Sequence, residues 1–315
     1  MTMTMRARTM FALTAAMMMA AWPGTGAAQQ PKPIGGGIGY NTPVDGEPNP
    51  YMPDVASVAT TSGCPEAPQQ FYPCATAKAK GFTPPRHPDG TPNLEGFWGR
   101  NIGAGLGAFS GRNSAVVDPP GDAPYQPWAL ALLKGLPREF VDPVARCMPQ
   151  GVPRFNIAPS AWRIIQSPGY VTFVGEQLHT FRIVPTDNRP HPGPGIRFWM
   201  GDAVGRWEGN TLVIDTTNFN GLAVFNVNMD FASDALHVVE RYTLIDKDNM
   251  LYEARLEDPS VFTRPFTIAW GRTRDPRSDK GVEILEEACY EGNWRWLDGE
   301  LAAGRKIMTA PLRKP

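Results

Sequence analysis

Glu240 is the residue whose type and setting most suggest chemistry. It lies in Leu236–Ile245, where one face of an extended chain reads Leu236, Val238, Glu240, Tyr242 and Leu244. The other face reads His237, Val239, Arg241, Thr243 and Ile245. Successive strand residues point to opposite sides, so the more apolar first face is expected to turn inward and carry Glu240 with it. A carboxylate among apolar neighbours is rare unless it is paired or functional. Two readings follow: half of a buried ion pair with Arg182 or Arg163, or a group suited to proton transfer near neutral pH. The histidines are His87, His179, His191 and His237. His179 and His237 fall on expected strands and could act as acid and base across a sheet. Strand parity sets His237 opposite Glu240, which makes His179 the better partner for an inward Glu240. His191 lies in a proline-rich loop beside Arg189.

A second group surrounds Gly201–Gly209, where Asp202, Arg206, Trp207 and Glu208 stand among glycines at a strand entry. Asp202 and Glu208 could be paired carboxylates of the kind a glycosidase needs. Alternatively Asp202 caps a turn, Trp207 packs on the barrel and Glu208 pairs with Arg206 or faces solvent. Arg146 and Arg154 bracket a tight loop and could hold a substrate carboxylate or pin that loop to backbone carbonyls. Trp98, Trp162, Trp207 and Trp270 could line an apolar cavity. No HxH or HxxxH spacing supports a metal, and no organic cofactor is expected. Gly103, Gly105 and Gly107 lack the flanking strand and helix of a dinucleotide site. No GxSxG elbow or P-loop lysine motif occurs.

Short strands must position these groups. Expected strands cover Ala161–Gln166, Tyr170–Glu176, Leu178–Val184, Val204–Glu208, Thr211–Thr217, Leu236–Ile245, Met250–Glu257, Pro265–Thr273 and Val282–Ala288, with an earlier one around Phe97 and Trp98. Gly209-Asn210 suits a two-residue hairpin turn. The one expected helix is Pro127–Lys134, with Pro127 at its start, Gly135 at its end and Trp128, Leu132 and Leu133 on its buried side. The chain is therefore expected to be all-β: an antiparallel meander closing as a lipocalin-like (calycin-like) barrel, because closure removes open edges and leaves room for one small ligand.

The 32 glycines and 33 prolines among 315 residues suit strands and turns better than long helices. Charges nearly cancel, with 30 basic against 31 acidic residues, which argues against a nucleic-acid partner. Arg6 and Arg8 followed by the apolar run Met10–Ala21 read as a signal peptide over residues 1–28, too short to span a bilayer. Residues 29–92 are expected to be a Pro/Gly-rich extended arm, and 93–315 the barrel domain. A periplasmic or secreted location favours oxidised cysteines. Of three possible pairings, Cys64–Cys74 closes a short loop in the arm and leaves Cys147–Cys289 to tie the start of the core to its end.

Four strings stand out: Arg146–Arg154 (RCMPQGVPR), Trp199–Thr216 (WMGDAVGRWEGNTLVIDT), Leu236–Arg241 (LHVVER) and Cys289–Asn293 (CYEGN). Together they resemble an uncharacterised family of exported bacterial proteins, over about Leu94 to Asn293. In that family a His often follows the last cysteine, where Tyr290 stands, and an Asp often occupies the place of Asn210. The resemblance implies export and brings no activity with it.

These readings lead to an exported, cofactor-independent enzyme. It would use general acid–base chemistry (lyase, hydratase, isomerase or hydrolase) on a small apolar or aromatic molecule held in a barrel. Glu240 would carry the proton, His179 or His237 would be its counterpart, and Arg182 or Arg154 would stabilise negative charge. Asp202, Trp207, Glu208, Trp162 and Trp270 would contact the substrate. A lipocalin-like carrier without turnover and an envelope-associated structural protein are the alternatives.

Overall fold

A computed structural model of the protein describes residues 61–314 except 103–108, 112–113, 158–160, 276–283 and 285. The expected signal peptide, the first half of the N-terminal arm, the Gly103–Gly107 string and part of Val282–Ala288 lie outside the described residues.

The described residues form ten strands, in chain order β1 (Gly96–Ile102), β2 (Val116–Asp118), β3 (Trp162–Ser167), β4 (Tyr170–Gly175), β5 (Phe181–Pro185), β6 (Asp202–Glu208), β7 (Thr211–Thr217), β8 (His237–Leu244), β9 (Asn249–Glu257) and β10 (Phe266–Arg274). They form one sheet in the order β5-β4-β3-β1-β10-β9-β8-β7-β6, with β2 added beside β10. The named strand pairs are antiparallel. The expected all-β, antiparallel character therefore holds, with two differences. First, β1 is inserted between β3 and β10, so two meanders are joined through an early strand. Second, among the described residues no ladder links the outer strands β5 and β6, and hydrogen bonds do not close the sheet into a barrel. The two edges still approach: a Cβ built on Gly205 of β6 would lie 2.9 Å from Val184 Cγ1 of β5. Gly205 thus lets the strands meet through side chains.

One face of the sheet encloses the main core, which includes Trp98, Trp162, Phe173, Ile214, Val238, Tyr242, Tyr252 and Trp270. Its aromatic rings form a continuous chain, with Tyr242 5.1 Å from both Phe173 and Tyr252, and Tyr252 4.7 Å from Trp270, centroid to centroid. Burying each of these large side chains contributes on the order of 2–3 kcal/mol. The opposite face of β9 and β10 is covered by helix α1 (Pro68–Gly81), whose Phe71 and Ala75 pack with Leu251 and Ala269. Gly271 allows this approach, since a Cβ there would meet Phe71 Cζ at 2.7 Å. Residues 68–81 were expected to be extended. The helix forms because docking supplies the apolar contacts that its weak local periodicity does not advertise.

Helix α2 (Pro127–Leu133) lies where expected, although its fully buried residue is Ala129, with Trp128, Leu132 and Leu133 partly buried against the core. Two single-turn helices, α3 (Leu136–Glu139) and α4 (Arg154–Ile157), follow. Helix α5 (Cys289–Ala302) was not expected. The described residues of Val282–Ala288, namely Ile284 and Glu286–Ala288, are not strand. Both expected disulfides form, Cys64–Cys74 and Cys147–Cys289, the latter tying α5 to the turn Pro143–Arg146.

Candidate functional site

The expected centre of chemistry, Glu240, is fully buried in β8 and ion-paired with Arg182 of β5. Its Oε1 accepts hydrogen bonds from Asn156 Nδ2 at 3.1 Å and from the hydroxyls of Tyr242 and Tyr252 at 3.0 Å each. Thr216 Oγ1 reaches Oε2 at 3.5 Å, and Arg182 Nη2 also donates to Thr216 Oγ1 at 2.7 Å. Burial and then the Glu240 charge push both tyrosine hydroxyls well above their ordinary pKa. Burial lowers the Arg182 guanidinium, but Glu240 together with Tyr242 and Tyr252 outweighs it and leaves the group raised. Five donors therefore occupy the carboxylate, and its side chain has no exposed surface. That is the arrangement of the ion-pair reading of Glu240. Arg163, the other partner considered, is exposed.

The other expected site residues are dispersed. His179 is not on a strand. It ends a 3-10 turn (Gln177–His179) in left-handed backbone and is exposed, so it does not accompany Glu240. Arg154 is buried and grips both oxygens of Asp142 at 2.8 and 2.7 Å, which makes it a loop clamp. Asp202 and Glu208 sit six residues apart on one straight strand. At ~3.3 Å per residue their separation is about 20 Å, well beyond the ~5–9.5 Å of a glycosidase pair. Glu208 instead pairs on the surface with Arg206 and Arg241. Trp162 and Trp270 are core residues, and Trp207 packs partly buried against the core. A small cleft lined by Val152, Trp199, Phe219, Ala223 and Leu236, among others, has a volume of about 10 Å³, room for one water.

A different constellation is assembled on the outward side of β6, β7 and β8. Asp202 begins β6, Asp215 lies near the end of β7 and His237 begins β8. Asp215 points outward because its neighbours Ile214 and Thr216 point in. In the ladders Asp215 stands opposite Val204 on one side and Val239 on the other, which sets Asp202 and His237 two residues away on the same face. The loop between β5 and β6 brings His191 over this face. His191 Nδ1 lies 2.5 Å from Asp202 Oδ2, and His191 Nε2 lies 3.1 Å from Asp215 Oδ1. His237 Nε2 lies 3.1 Å from both oxygens of Asp215. The result is a chain, Asp202–His191–Asp215–His237, with side chains 25–36 % exposed.

Carboxylates only accept, so each imidazole nitrogen facing one must carry a proton for the bond to form. His191 meets both of its carboxylates only as an imidazolium. His237 spends Nε2–H on Asp215 and leaves Nδ1 without a hydrogen-bond partner among the described residues. The bond to Asp215 holds the His237 imidazole above its ordinary value, against a smaller opposing effect of burial. Burial pushes Asp215 up, yet the bonds and charges of His237 and His191 overcome it and hold the carboxyl below its ordinary value.

No family model, curated protein or solved structure matches the chain. The functional reading therefore rests on the site itself. Among the described residues, no group of three or more His, Cys, Asp or Glu side chains is arranged to hold a metal ion. What the arrangement offers is an imidazole oriented by a carboxylate, with a side chain 36 % exposed, a second nitrogen without a hydrogen-bond partner among the described residues, and a second His–Asp pair beside it. Asp215 is not among the residues that sequence pattern singles out. The available signal was its acidic side chain on the outward parity of β7, opposite a strand that carries His237.

Proposed function

We propose that the protein is an exported enzyme that works by general acid–base catalysis at the Asp202–His191–Asp215–His237 chain. The observation that carries this reading is the His237–Asp215 dyad. The carboxylate fixes the ring and its tautomer, so Nδ1 presents a lone pair where a substrate can reach it. His237 takes a proton as general base and returns it as general acid. Asp215 stabilises the imidazolium formed in between. His191, bridging Asp202 and Asp215 through both ring nitrogens, holds the Asp215 carboxylate in place beside His237. Elimination, hydration, isomerisation and hydrolysis all use this pair of roles. Residues of the loop that delivers His191 support a small, partly apolar or aromatic substrate, since Ile196 and Phe198 are 52 % and 43 % exposed. The two disulfides support a periplasmic or secreted location.

The test is a turnover screen of the purified protein against small esters, lactones, hydroxy acids and enol-type substrates. His237→Gln and Asp215→Asn are run beside it. Loss of about 10²–10⁴-fold in His237→Gln is expected for a general base. Full turnover in a folded His237→Gln variant overturns the reading.

A carrier reading with a lipocalin-like closed barrel has one supporting observation. Arg182 Nε and Nη1 and the indole nitrogens of Trp162 and Trp270 are buried donors without a hydrogen-bond partner among the described residues. Polar atoms of a bound molecule or internal waters would satisfy them. Native mass spectrometry of freshly isolated protein, showing a co-purifying small molecule, would favour this reading over catalysis at the outer face.

A further inference from the structure

His191 sits in a segment with little means of holding itself. Pro190, Pro192 and Pro194 have no backbone N–H, so Pro190–Gly195 is poor in donors while its carbonyls still need partners. The Ile196 N–H reaches back to the Gly193 carbonyl at 3.2 Å. The main donor comes from outside the loop. Asn218, the first residue beyond β7, donates from Nδ2 to the carbonyls of Pro192 at 3.3 Å, Gly193 at 3.1 Å and Ile196 at 2.9 Å. Its own backbone carbonyl accepts the Phe198 N–H at 2.9 Å, and Thr217 Oγ1 donates to its Oδ1 at 2.9 Å.

We propose that Asn218 is the positioning residue of the catalytic site, holding the loop so that His191 spans Asp202 and Asp215. This inference rests on the reading of the His–Asp chain as the active site. Three features single out Asn at this position. Its backbone is left-handed, with φ 58°, a region that Asn tolerates better than most residues. Its amide supplies two N–H groups to three carbonyls of a donor-poor loop. It also stands three residues after Asp215, so the one side chain fixes the loop relative to the carboxylate that His191 must reach. Aspartate has the same shape, but it would set a carboxylate against three carbonyl oxygens. Glycine would keep the backbone conformation and lose all three bonds.

The experiment compares wild type with Asn218→Asp and Asn218→Gly, using long-range ¹H–¹⁵N spectra of the histidine rings, thermal melting and turnover. Wild type is expected to show His191 with both ring nitrogens protonated and His237 protonated at Nε2. In both variants the His191 pattern should collapse to that of a free ring while the His237 pattern persists, because His237 is held by its strand. Turnover should fall through kcat by about tenfold to a hundredfold, as for a misplaced group. Asn218→Gly guards against misfolding of the Asp variant, and an unchanged His237 pattern shows that the sheet is intact. Retention of the wild-type His191 pattern in both variants overturns the positioning role, whatever the turnover. Collapse of that pattern with undiminished turnover overturns it too, and shows that the failure lies in the reading of the His–Asp chain as catalytic.

Discussion

Replacing Glu240 by Gln should destabilise the fold strongly. The side chain is 0 % exposed, and that of its partner Arg182 is 3 % exposed. The carboxylate accepts from Asn156, Tyr242 and Tyr252 on one oxygen and from Arg182 and Thr216 on the other. An amide has one oxygen, which can keep two or three of these bonds. Its NH₂ must then face Arg182, donor against donor, while the Thr216 hydroxyl can turn to accept. Arg182 Nε and Nη1 have no hydrogen-bond partner among the described residues to begin with, so the guanidinium would be left as an uncompensated charge in the core. Breaking a buried pair in this way costs about 3–5 kcal/mol. For a domain of this size, an m value near 3 kcal/mol/M converts that into a fall of roughly 1 M or more in the urea midpoint. Equilibrium urea unfolding followed by near-UV circular dichroism and tryptophan fluorescence measures it. The double variant Glu240→Gln with Arg182→Met should recover much of the loss, since it removes the stranded charge. A Glu240→Gln protein that unfolds at the wild-type midpoint would refute this account and return Glu240 to consideration as a proton carrier.

Other consequences are open to direct measurement. His237 is raised by Asp215, so its stabilising effect is complete below the unfolded imidazole value and is lost as pH rises through the folded one. Asp215 is lowered, so its effect is present above the unfolded carboxyl value and is lost as pH falls through the folded one. The difference in unfolding free energy between wild type and His237→Gln should therefore be largest between about pH 4 and 6.5 and shrink on either side; a flat difference would break the assignment. Removing the Cys147–Cys289 bridge, which spans 142 residues, as the double Ala variant should cost roughly 2–5 kcal/mol in chemical denaturation. Gly271→Ala should push Phe71 away and loosen α1, lowering stability by about 1–3 kcal/mol and exposing residues 68–81 to hydrogen exchange before the sheet.

Most strands could be read from the chain because their signal is local. Alternation in Thr211–Thr217 and Leu236–Ile245 and the turn at Gly209-Asn210 need only neighbours in sequence. The same parity placed Glu240 on the inner face and His237 on the outer one, and the structure has both there. Cysteine usage and spacing sufficed for the two disulfides. Helix α1 could not be read, because its stability comes from docking Phe71 beside Gly271, some two hundred residues away. Leu178 and His179 carry strand-like composition, yet their backbone turns left-handed at φ 61° and 48°, which takes His179 off the sheet. The site itself depended on register. A long connection joins β7 to β8, so no turn geometry specifies which residue of one faces which residue of the other. Only the assembled ladder sets Asp215 beside Val239 and within reach of His237, and contacts from residues distant in sequence, those of Asn218 among them, hold the proline-rich loop beside them. The types of the residues were written along the chain. Their convergence is a property of strand pairing between distant segments, which local periodicity does not encode.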